Sequence, residues 1–112
     1  MLKHSDPVRG VLAEELANAV NRLAMYAQAI RVLPRGSLVS RKVKGRKYYY
    51  VAFWKSGKVR YEYKGRLIAP EERRRYEEAS VKKARYRKLM SDLRWRIAFI
   101  RRALHERKRR PT

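Results

Sequence analysis

The chain has 112 residues and no cysteine, and its 31 Lys and Arg face 10 Asp and Glu, a formal net charge of +21. That length fits one domain with a modest core, and the missing thiols exclude disulfides and thiolate metal sites. So large an excess of one sign repels itself and is relieved by a polyanion, whereas solubility alone needs far less.

No apolar run approaches the roughly 18 residues of a spanning helix. The first residues, MLKHSDPVRG, lack the apolar segment of a signal peptide. The expected location is cytoplasmic, nucleoid- or ribonucleoprotein-associated, and no membrane partner is expected. The charge is unevenly spread. Residues 1–33 carry 4 basic and 3 acidic groups, residues 34–65 carry 10 and 1, and residues 66–112 carry 17 and 6. Residues 1–33 therefore read as a scaffold helix, and the remainder holds the electrostatic footprint.

Asp6-Pro7 reads as a helix start, with Asp as N-cap and Pro in the first helical position. The helix is predicted to run to about Val32, where Pro34 and Gly36 stop it. Leu12, Leu16, Ala19, Leu23, Tyr26 and Ile30 form one apolar stripe of heptad type. Residues 36–65 then read as a three-stranded antiparallel meander: Ser37 to Val43, Arg46 to Lys55 and Lys58 to Lys64. Lys44-Gly45 and Ser56-Gly57 make tight hairpins, the glycines supplying positive φ.

Two-residue loops set the pairing. Val39 falls opposite Tyr50, Arg41 opposite Tyr48, Ala52 opposite Tyr61 and Trp54 opposite Val59. One face then holds Val39, Val43, Tyr48, Tyr50, Ala52, Trp54, Val59, Tyr61 and Tyr63, and is expected to be the core face under the helices. The other holds Lys42, Lys47, Lys55, Lys58, Arg60, Glu62 and Lys64, with Tyr49, Val51 and Phe53 among them, and is expected to be a basic outer surface. A one-residue change in either loop would invert a strand's faces.

Pro70 opens the second helix, with Glu71 and Glu72 in the first turn, favourable for the helix dipole. This long basic helix is predicted over residues 70–108. Its stripe is Tyr76, Ala79, Tyr86, Met90, Leu93, Ile97, Ile100 and Leu104, interrupted by Lys83. Ser91-Asp92 is a candidate break, Trp95 reads as a packed edge, and ERKRRPT reads as a frayed end. The fold class is therefore α+β, a single domain over residues 1–112.

No catalytic constellation emerges. His4 and His105, the only histidines, lie at opposite ends, and no metal or other cofactor is implied. Glu71, Glu72, Glu77 and Glu78 have the spacing of helix-surface ion pairs. The stronger signal is the basic sheet face. There Lys42, Lys47, Lys55, Lys58, Arg60 and Lys64 would meet phosphates or base edges, and Tyr49 and Phe53 could stack on bases. Arg73, Arg74, Lys82, Arg85, Lys88 and Arg96 of the second helix would add phosphate contacts. The plainer reading of that face is a solvated one, with lysines protecting the sheet edges.

The segment LPRGSLVSRKVKGRKYYYVAFWKSGKVRYEYKG resembles a family of small prokaryotic proteins of unknown function. The shared pattern is L-P-x-G-S-L, then G-x-x-Y-Y-Y, then G-K-V-x-x-x-Y. Leu33, Pro34, Gly36, Ser37, Leu38, Gly45, Tyr48, Tyr49, Tyr50, Gly57, Lys58, Val59 and Tyr63 carry it. That resemblance covers about the middle third of the chain and brings no activity with it. More loosely, a meander followed by a helix is similar to the arm-type DNA-binding domain of tyrosine recombinases and to the N-terminal arms of some transposases. Those domains put a sheet into the major groove, and the long helices here depart from them.

The expected function is non-catalytic nucleic-acid binding through the outer sheet face and the basic helix, with double-stranded DNA slightly ahead of RNA. An RNA-binding subunit of a ribonucleoprotein is the alternative, as is a phage or mobile-element protein that binds and regulates a nucleic-acid enzyme. A homodimer through the helix stripes and a protein partner in a nucleoprotein complex stay open.

Overall fold

A computed structural model describes residues 6–109, with side chains described as far as Arg107. His4 and the end of the basic tail lie outside the described residues. The elements in order are α1 (Pro7–Arg31), β1 (Ser37–Val43), β2 (Arg46–Lys55), β3 (Lys58–Gly65) and α2 (Pro70–Arg109), an α+β architecture. These described residues divide into two compact units. One holds the residues up to Ala29 together with those from Tyr86 on, and the other is Ile30–Arg85.

The first unit is an antiparallel helix pair. Asp6 caps α1 as its sequence position predicts: its Oδ1 accepts from the backbone N–H of Val8 at 3.1 Å and of Arg9 at 3.2 Å. Its other carboxylate oxygen lies 3.2 Å from Arg107 Nε near the end of α2, which ties the two helix ends together. At the far end Tyr26 stacks on Tyr86 with ring centroids 5.6 Å apart. Between these ends Ala19, Leu93 and Ile97 are buried, with Leu16, Leu23 and Tyr26 packed on them. The two heptad stripes therefore face each other, and the small Ala19 lets Leu93 and Ile97 seat beside it. Each of those two side chains contributes roughly 2 kcal/mol by leaving water. The helix runs unbroken through Ser91-Asp92, so that candidate break is not one. Neither residue removes a backbone donor, so the i to i−4 ladder continues through them.

The second unit is built on the three-stranded sheet, in the order β1-β2-β3. Both hairpins have the expected register, with Val39 opposite Tyr50 and Arg41 opposite Tyr48, then Ala52 opposite Tyr61 and Trp54 opposite Val59. The turns explain it. Lys44 and Gly45 both have positive φ (51° and 80°), as do Ser56 and Gly57 (52° and 77°). Two consecutive positive φ values make a type I′ turn, whose twist matches that of the flanking strands. At the other end of β3 the register shifts where β2 passes from Tyr49 to Tyr50, so that Tyr50 pairs with Tyr63 and Tyr49 with Gly65.

The sidedness of the sheet is the reverse of the expectation. The first part of α2 covers the face of Leu38, Tyr49, Val51 and Phe53, where Val51 is 3% exposed. Ala79 and Lys83 of α2 are buried as well. The face expected to be core lies open: Trp54 is 65% exposed, Tyr61 54% and Tyr63 53%, and Val43 and Val59 are also exposed. The physical reason lies in the side chains. Leu38 and Val51 are paired across the strands at the centre of one face, and aliphatic groups have no polar atom to satisfy when a helix covers them. The tyrosine face also carries Arg41 and Arg46, whose burial without acids would be costly.

Lys83, the interruption in the α2 stripe, has a structural role. It is only 8% exposed. Its Nζ donates to the carbonyl oxygen of Pro34 and, at 3.1 Å, to that of Gly36. These carbonyls belong to the turn between α1 and β1. Gly36 in turn sits against β2 with φ +85°, and a Cβ there would lie 2.6 Å from the Ala52 carbonyl oxygen and 2.7 Å from Val51 Cγ1. No helix among the described residues is long and apolar enough to cross a membrane.

Candidate nucleic-acid interface

The sequence-predicted residues separate into three groups. Tyr49 and Phe53 are half-buried under α2 and the α1–β1 turn rather than outward. Arg73 Nη2 donates to the Tyr49 hydroxyl at 2.6 Å, and its guanidinium lies 5.1 Å from the Tyr49 ring centroid. Arg35 sits over Phe53 at 5.2 Å while donating to the Trp54 carbonyl at 2.9 Å. Each ring thus carries an arginine of the chain itself over one face and lies on the helix-covered side of the sheet, which corrects their expected place as an outward stacking pair. Lys47, Tyr49 and Arg73 do come together, lining with Ser40 and Glu77 an open cleft of about 530 Å³.

The second group consists of exposed cations on the sheet. Lys42 pairs across the strands with Lys47, and Lys55 with Lys58 at the tip of the second hairpin. Arg60, opposite Phe53, is exposed. Lys64 lies 3.8 Å from Glu62, its neighbour two residues back. Like charges placed directly opposite destabilise a sheet, so the Lys42–Lys47 and Lys55–Lys58 pairs act against folding in the free protein. The third group, Arg74, Lys82, Arg85, Lys88 and Arg96, is exposed along α2. Among the described residues no group of three or more His, Cys, Asp or Glu could hold a metal ion.

The open sheet face was missed as a site. Tyr48, Tyr50 and Tyr63 form a continuous cluster, with centroids 6.4 Å apart for Tyr48–Tyr63 and 5.3 Å for Tyr50–Tyr63. The Arg41 guanidinium lies 5.2 Å from the Tyr61 ring centroid. Trp54 and Arg46 complete the same face, which holds no acid. The signal that could have found it was present: two arginines alternate in register with the tyrosines, and a core face does not take unpaired arginines. A second exposed aromatic group lies in the helix pair. Trp95, 74% exposed, stacks on Phe99 at 6.0 Å and 11°, so Trp95 is not the packed edge expected of it.

No family model, no curated protein and no solved structure matches this chain.

Proposed function

We propose that this protein is a non-catalytic nucleic-acid-binding protein. The observation that carries this reading is the uncompensated charge of the sheet-bearing unit. Ile30–Arg85 holds 18 Lys and Arg against 5 Glu, a net +13. Like-charged lysines face each other across its strands. A charge density that opposes folding is relieved when phosphates replace the lysines' own counterions. A merely solvated face intersperses both signs, whereas residues 37–65 set 9 Lys and Arg against Glu62 alone.

The test is a fluorescence-anisotropy titration of duplex DNA, single-stranded DNA and folded RNA across a salt series. At least one substrate is expected to bind with an affinity that falls steeply and linearly on a log–log plot. Absence of binding to all three at 50 mM salt would sink the proposal. It would favour the second reading, a protein partner in a nucleoprotein complex. That reading is supported by exposed Trp54 and Trp95, since tryptophan is enriched at the energetic centres of protein interfaces.

A further inference from the structure

Resting on the nucleic-acid reading above, we propose that the open sheet face is a stacking platform for unpaired bases, so that the preferred ligand is a single strand. Tyr50, Tyr61, Tyr63 and Trp54 supply the rings, and Arg41 extends them.

Contiguous exposed apolar surface marks a binding site more often than an accident of folding. Here exposed Tyr63 lies 5.3 Å from Tyr50 and 6.4 Å from Tyr48 by centroids, with the rings tilted by 55° and 42°, and exposed Tyr61 and Trp54 stand on the same face. The Arg41 guanidinium lies 5.2 Å from the Tyr61 ring centroid and adds a further planar group to the same face, because a guanidinium plane also stacks on bases. The rings of Tyr49 and Phe53, on the opposite side of the sheet, are half-buried among residues of α2 and the α1–β1 turn, unlike Tyr61, which is 54% exposed. Base stacking on the sheet is therefore left to the open face. That face carries two arginines and no acid, which suits a strand whose phosphates run along it.

Duplex is the poorer fit. Its bases are stacked on each other and show only their edges, which proteins read mainly with Arg, Lys, Asn and Gln. The open face has no Asn or Gln. Unpaired bases expose their π-faces to aromatic side chains, and every base has one, so the preference is for strandedness before sequence. DNA and RNA single strands share this chemistry.

The experiment uses the full chain with Trp95→Phe, which leaves Trp54 as the only tryptophan. Four probes are titrated at 150 mM salt: a 12-nucleotide oligothymidylate, the matching oligouridylate, an abasic 12-mer and a 12-base-pair duplex. Either single strand is expected to bind at least tenfold more tightly than the abasic strand and the duplex, and to quench Trp54 emission. Tyr61→Leu and Tyr63→Leu should each weaken that binding about tenfold while leaving abasic-strand affinity unchanged. Should a variant unfold, the ratio of single strand to abasic strand in the parent protein still decides.

Equal affinity for the abasic strand, preference for duplex, or unchanged Trp54 emission would overturn the stacking platform while leaving nucleic-acid binding intact. So would sedimentation as a dimer with Trp54 emission already blue-shifted, which would assign the face to a second copy. Failure to bind any of the four probes strikes the nucleic-acid reading itself.

Discussion

Lys83 and Gly36 show how two residues hold one turn. The ammonium of Lys83 donates to two carbonyls of the turn between α1 and β1. Lys83→Met keeps the stem and removes the donor that both the Pro34 and Gly36 carbonyls accept from. A loss of about 3 kcal/mol is expected by urea denaturation, from the cost of unsatisfied buried polar groups. An unchanged midpoint would mean that water takes over both bonds. Gly36→Ala meets both a positive φ and a close approach to Ala52 and Val51. It should destabilise by about 2–4 kcal/mol, read in the same assay. Lys83 stood out in the sequence as the residue that breaks an apolar stripe. Its partners did not, because they lie 49 and 47 residues away along the chain.

At the scale of elements, the turns control the register. Ser56 sits at φ 52° in a type I′ turn, a conformation that Asn tolerates better than Ser. Ser56→Asn should therefore stabilise by about 0.5 kcal/mol, seen as a rise in thermal midpoint without a change in binding. In α1, Asp6→Ala removes the cap for two amides and the ion pair with Arg107 together. It should cost about 1–2 kcal/mol, most of it retained in high salt because the capping bonds are short-range. Both helices, all three strands and both hairpin registers were legible in the sequence. Each depends on neighbours a few residues apart: a Pro at a helix start, a heptad stripe, a Gly in a two-residue loop. The choice of covered face was not, since period-2 alternation divides a strand into two sets of side chains without saying which set meets a helix.

For the molecule as a whole, net charge is the controlling quantity. At +21, self-repulsion should make the folded state salt-sensitive. Raising KCl from 50 to 500 mM is expected to lift the thermal midpoint by about 5 °C through screening; a flat or falling midpoint would remove repulsion as a significant cost. In binding, Lys55 and Lys58 stand opposite each other at the hairpin tip. Replacing both with Gln should lower affinity alike for all sequences and reduce the salt slope by roughly 2 if both meet phosphates. An unaltered slope would assign the phosphate contacts elsewhere, with the exposed arginines of α2 next to be tested.

Composition and spacing alone determined that the chain is a strongly basic α+β protein, with a capped first helix, a meander pinned by two glycine hairpins and a long basic second helix. These properties follow from local sterics, hydrophobic period and charge count, which need no knowledge of what packs on what. Only the tertiary structure decided which side of the meander is open. The first part of α2 lies on the aliphatic pair Leu38–Val51 and brings Arg73 onto Tyr49, leaving Trp54, Tyr61 and Tyr63 exposed on the other face with Tyr48 and Tyr50 half-buried beside them. Sidedness depends on which apolar set gains more by burial and which polar groups would be stranded by it. Aliphatic side chains lose nothing under a helix, whereas a face of tyrosines and arginines keeps its hydroxyls and charges in water.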